Sequence, residues 1–120
     1  MAKSLLVISR QSPWSGLSAR EALDLVLAGG AYDLPIGLLF MDDGVLQLAQ
    51  AQDATAVQQK DLTANLKALE MFGIEEVYAC STSLRERGLP AEQLNIDART
   101  LAHPRDIAAL IDRYDHVITL

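Results

Sequence analysis

The chain has 120 residues, half of them hydrophobic and 22% charged, and carries a net charge of −6. That length suits one domain, residues 1–120, able to bury a core without metal or disulfide support, and no apolar run approaches the roughly 18 residues that span a bilayer. The acidic balance, spread along the chain, and a 5% aromatic content argue against direct nucleic-acid binding.

The apolar stretch before Arg10 is too short for the hydrophobic part of a secretory signal, so a cytoplasmic location is expected. Cys80 is the single cysteine, which rules out an internal disulfide and makes any redox chemistry depend on a second molecule.

Ser4 to Ile8 (SLLVI) is a short, continuous apolar run of the kind found in strands buried on both faces of a parallel sheet. A helix is predicted next, with Ser18 and Glu21 as a capping box, Leu23, Val26 and Leu27 on one face, and Gly29 and Gly30 as the stop. Pro35 to Phe40 reads as the second strand. Asp42 or Asp43 can cap a helical turn after it, leaving Val45, Leu46 and Leu48 as an apolar patch on a short element. Leu62, Leu66, Leu69 and Phe72 recur at helical spacing between Ala56 and Phe72, and Gly73 sits where a terminating glycine belongs.

Glu76 to Cys80 is a third strand, followed by a turn of helix with Ser83 as N-cap, Glu86 three residues on, and Gly88 as terminator. A fourth strand is expected around Leu94 to Ile96. Pro104 starts a helix with Ile107, Ala108, Leu110, Ile111 and Tyr114 on one face, and DHVITL, 115–120, is the fifth strand. Five apolar strands alternating with helices predict a three-layer α/β/α fold with a five-stranded parallel sheet, in the flavodoxin/Rossmann-like class.

In such sheets ligands and reactive groups collect beyond the carboxyl ends of the strands, where 10–16, 41–44 and 80–84 fall. Cys80 followed by Ser81, Thr82, Ser83 and Arg85 admits two readings. Helix-start backbone donors and guanidinium charge would favour a thiolate or persulfide there, while a lone cysteine ending an apolar strand is equally a small buried residue. CSTSLR is one residue short of a tyrosine-phosphatase loop and has no glycine, and a thioredoxin motif lacks its second cysteine. The loop 10–16 has neither a dinucleotide nor a P-loop signature, although an anion-binding module using it is the alternative reading. His103 and His116 have no partners at ligand spacing, so no metal and no cofactor are expected. Trp14, with Val45, Leu46 and Leu48, is the candidate subunit interface.

The strand leading into SLRERGL (83–89), the segment FMDDGVLQL (40–48) and the ending YDHVITL (114–120) together resemble the DsrE/DsrF/DsrH sulfur-relay family, in its DsrF-like branch, over essentially the whole chain. The resemblance implies a first strand lying inside the sheet beside the last. It also implies a TusBCD-like heterohexamer with TusB-like and TusD-like subunits, taking persulfide sulfur from TusA and passing it to TusE for 2-thiolation of tRNA wobble uridine. Under it Cys80 occupies the place of the TusD-like subunit's sulfur-carrying cysteine, as an accessory site in a subunit that builds the complex and is not an autonomous enzyme.

Overall fold

The structure is a computed structural model that describes residues 3–12, 17–48, 67–69, 71–90, 94 and 98–120. Five strands, β1 (Leu5–Ser9), β2 (Ile36–Phe40), β3 (Val77–Cys80), β4 (Arg99–Leu101) and β5 (His116–Thr119), form one sheet in the order β4-β3-β2-β1-β5. Every pairing is parallel, with β1 held between β2 and β5. The fold is the expected three-layer α/β/α arrangement. β4 is the Arg99–Leu101 backbone that pairs with Tyr78–Cys80; of the fourth strand expected around Leu94 to Ile96, residues 95 and 96 lie outside the described residues.

β1, β2 and β3 are buried and read as unbroken apolar runs for that reason, whereas the edge strands β4 and β5 are largely exposed. On one face, Val7, Leu38, Phe40 and Ala79 pack against helix α1 (Ser18–Ala31) through Ala22, Leu23 and Val26. On the other, Leu6, Ile8, Leu39 and Tyr78 meet Leu110, Ile107 and Ile111 of helix α3 (Pro104–Asp112). α3 begins at Pro104 as predicted, since its missing N–H is one the first helical turn leaves unpaired anyway.

The helix ends are set differently from the sequence pattern. Leu17 already has helical dihedrals and its carbonyl accepts from the Glu21 N–H, so Ser18 lies inside α1 and makes no capping bond. α1 also runs through Gly29 and Gly30. It stops at Asp33, whose φ of 57° lets the Asp33 and Leu34 N–H groups close back on Gly30 and Gly29 carbonyls. Gly73 and Gly88 do terminate their helices, with the Ile74 N–H on the Leu69 carbonyl and the Leu89 N–H on the Leu84 carbonyl, each at 2.9 Å. Of the helix expected over 56–72, residues 67–69 and 71 are helical and 56–66 lie outside the described residues.

Tyr114 ties α3 to the sheet. Its hydroxyl donates to Glu76 Oε1 at 2.7 Å and lies over Gly37, where any Cβ would collide with it. Burial, then the hydrogen bond to Glu76, then that carboxylate's charge hold the Tyr114 phenol well above its usual range. The folded state therefore keeps a proton that the unfolded chain releases near pH ~10, so this contribution is complete below that pH and is lost above it. Tyr114→Phe is expected to cost about 1 kcal/mol at neutral pH and to flatten the alkaline loss, as read from urea midpoints at neutral and alkaline pH.

Candidate functional site

The loops after β1, β2 and β3 come together because those strands are neighbours. A 3₁₀ helix, Asp42–Leu48, follows β2, and helix α2, Ser81–Glu86, follows β3 directly with Cys80 at its N-cap position. α2 thus starts two residues before the predicted cap. Ser83 lies within it, makes no capping bond, and instead accepts the Asp42 backbone N–H on its Oγ at 2.9 Å.

Two ion pairs stitch the three loops. Arg10 Nε donates to Asp42 Oδ2 at 2.6 Å, joining the β1 loop to the β2 loop. Arg87 Nε donates to Asp43 Oδ1 at 3.0 Å, and its Nη1 donates to the Ser83 carbonyl at 3.2 Å, joining the β2 loop to α2. Asp42 sits at φ 50°, a left-handed conformation that aspartate tolerates better than most residues, and it presents its N–H and carboxylate to different partners. Below this layer the buried Gln47 donates through Nε2 to Ser9 Oγ at 2.7 Å and to the Gln11 carbonyl at 3.2 Å.

These contacts were not legible in the spacing of the residues. Asp42 and Asp43 read locally as helix caps, and only the strand order brings them within reach of Arg10 and Arg87. Arg87 is the anchored arginine, whereas Arg85, the expected member of an anion site, is exposed. Arg10→Ala is expected to cost about 0.5 kcal/mol or less, since that pair is half exposed, and Arg87→Ala about 1 kcal/mol, because it also removes the bond to Ser83. Urea denaturation of the two variants checks the order.

Cys80 is a free cysteine only 7% exposed. Ser81 is half-buried, Thr82 exposed and Ser83 buried. The cysteine therefore closes β3 as a buried residue at the start of α2. Arg10 and Arg87 already have carboxylate partners, which leaves them little net attraction for a further anion. Val45 and Leu48 are fully buried in the core on the α1 side, so they are corrected from interface to core residues. The tight 3₁₀ turn points both inward, and Leu46 alone of the three stays half-buried. Trp14 lies outside the described residues. Among the described residues no three His, Cys, Asp or Glu side chains are grouped to hold a metal ion, and no helix is long and apolar enough to cross a membrane.

Fold and site together define an open parallel α/β/α domain with its polar layer over the ends of β1 to β3 and one cysteine closing β3. The DsrE/DsrF-like family matches residues 3–120, and the chain belongs to that family. It is 58% identical, over the full length of both chains, to the "Protein TusC homolog" of Pseudomonas aeruginosa. It is 32% identical to the protein of the same name from Aliivibrio fischeri, covering 92% of this chain and 93% of that one. Among solved structures, the E. coli ychN protein superposes with a TM-score of 0.79 over all of both chains at 22% identity, a likeness of fold.

Proposed function

We propose that the chain is a non-autonomous subunit of a TusBCD-like sulfur-relay complex that passes persulfide sulfur from TusA to TusE for 2-thiolation of tRNA wobble uridine, in the cytoplasm. The observation that carries this reading is the full-length similarity to proteins named TusC homolog. The acidic net charge fits a subunit that meets proteins and leaves the tRNA to others. TusB-like and TusD-like subunits are the proposed partners in a heterohexamer, with TusA as donor and TusE as acceptor.

In each transfer an acceptor thiolate attacks the outer sulfur of a donor persulfide. A new sulfur–sulfur bond forms, the donor's breaks, and the donor leaves as thiolate, with no net oxidation. That step needs an approachable sulfur. Burial of Cys80 supports an accessory role for it, with the TusD-like subunit as principal carrier. Ser81, Thr82, Ser83 and Arg85, on the helix that starts at Cys80, are the proposed surroundings of a persulfide there.

Co-purification with TusB-like and TusD-like subunits, followed by exposure to persulfidated TusA and intact-mass measurement, tests the reading. Added sulfur is expected on the TusD-like chain. A chain that stayed monomeric with both partners present would remove the proposal, and exclusive loading of Cys80 would make it a carrier in its own right.

A second reading, an anion- or flavin-binding module, rests on the reversal of strand order between β1 and β5, where parallel sheets open a crevice. Arg10, at that crevice, is already paired with Asp42. A calorimetric titration showing tight flavin or nucleotide binding would favour this reading over the first.

A further inference from the structure

The end of the sheet opposite Cys80 carries a cleft of about 280 Å³, lined by Gly30, Asp33, Leu34, Phe72, Gly73 and Glu75 among others. Its walls are the C-terminal turn of α1 and the turn that closes the helix ending at 71. Four of the seven large hydrophobic side chains exposed among the described residues belong to these two turns: Tyr32 at 81%, Leu34 at 46%, Met71 at 84% and Phe72 at 45%. Leu34 and Phe72 line the cleft itself, and apolar side chains gathered on the two turns that wall it mark an interaction surface more strongly than the same residues scattered.

Charge identifies the occupant. Asp33 and Glu75 are exposed on opposite walls, and neither carboxylate has a hydrogen bond or ion pair among the described residues. Glu76, deeper in the cleft, accepts from Tyr114 and lies 3.4 Å from Arg113, whose cation offsets it. Both walls are helix C-termini, whose carbonyl ends add negative potential. At about 280 Å³ the cleft is of a size for one or two side chains.

We propose that this cleft docks a partner protein through a short segment in which an arginine or lysine is flanked by apolar residues. The cation lies between Asp33 and Glu75, and the flanking residues cover Leu34 and Phe72. This surface is at the other end of the domain from Cys80 and does not depend on the sulfur-relay reading.

The test is an NMR titration of the ¹⁵N-labelled full chain with three acetylated, amidated tripeptides at millimolar concentration: Leu-Arg-Leu, Gly-Arg-Gly and Leu-Glu-Leu. Leu-Arg-Leu is expected to shift the amides of Asp33, Leu34, Gly73 and Glu75. The double variant Asp33→Asn, Glu75→Gln should bind it roughly tenfold more weakly, as two exposed charge pairs warrant. Asparagine keeps the left-handed conformation at 33, so the α1 terminus is retained. No shift at the cleft with any peptide would overturn the proposal. Equal shifts with Gly-Arg-Gly would reduce the site to a surface charge, and equal shifts with Leu-Glu-Leu to an apolar patch, each overturning it. Sedimentation showing a dimer of the chain that the double variant dissolves would assign the cleft to a second copy instead.

Discussion

Gly44→Ala is expected to destabilise the domain by about 3 kcal/mol, the upper part of the usual range for forcing atoms into a packed site. A Cβ on Gly44 would run into the carbonyl of Ser9, which is backbone at the end of β1 and has no rotamer to change. The Ser9 carbonyl also accepts the Met41 N–H at 3.1 Å, and the Gly44 N–H closes on the Met41 carbonyl at 2.8 Å, so neither side can retreat without breaking the turn. Lifting the 3₁₀ helix would draw Val45 and Leu48 from the core and pull Asp42 and Asp43 from Arg10 and Arg87. For a domain of this size the melting temperature should fall by roughly 10 °C or more, which calorimetry would measure. A fall of only a degree or two would show that the loop layer floats over β1.

The second large contrast is between losing the chain and losing its thiol. In cells, deletion of the gene is expected to abolish 2-thiolation of the wobble uridine, whereas Cys80→Ser should leave it close to wild type, read as the thiolated fraction of the target tRNAs. The reason is geometric. A cysteine only 7% exposed at the start of α2 is poorly placed for attack by another protein's thiolate. The same burial predicts slow alkylation of Cys80 in the folded chain and fast alkylation after denaturation. Serine places a more polar hydroxyl in the same pocket, at a cost of about 1 kcal/mol, small enough for the fold to survive. Loss of thiolation in a Cys80→Ser variant that still assembles would assign the carrier role to Cys80 and end the accessory reading.

Much of the architecture was legible in the residues. The runs SLLVI and PIGLLF, too short for helices and without a charged residue, are strands buried on both faces, and Gly73, Gly88 and Pro104 mark helix boundaries where predicted. Where local reading failed, two local choices competed. Ser18 and Ser83 fit capping boxes, but Leu17 and Ser81 could already adopt helical geometry, and helix starts followed the backbone. Gly29 and Gly30 looked like a stop, yet Asp33 ended the helix, because an aspartate in the left-handed region closes the same pair of hydrogen bonds.

By itself, then, the sequence determined the alternation of strands and helices, the fold class, and a family likeness spread over the chain, since these depend on periodicity and on neighbours a few residues apart. Only the tertiary structure decided which side chains meet. Arg10 finds Asp42 and Asp43 finds Arg87 across tens of residues because β1, β2 and β3 lie side by side. The same packing turned Val45 and Leu48 from a supposed interface into core, and buried Cys80 at the end of β3. Burial and charge pairing are set by the enclosing fold, and local spacing carries no record of them.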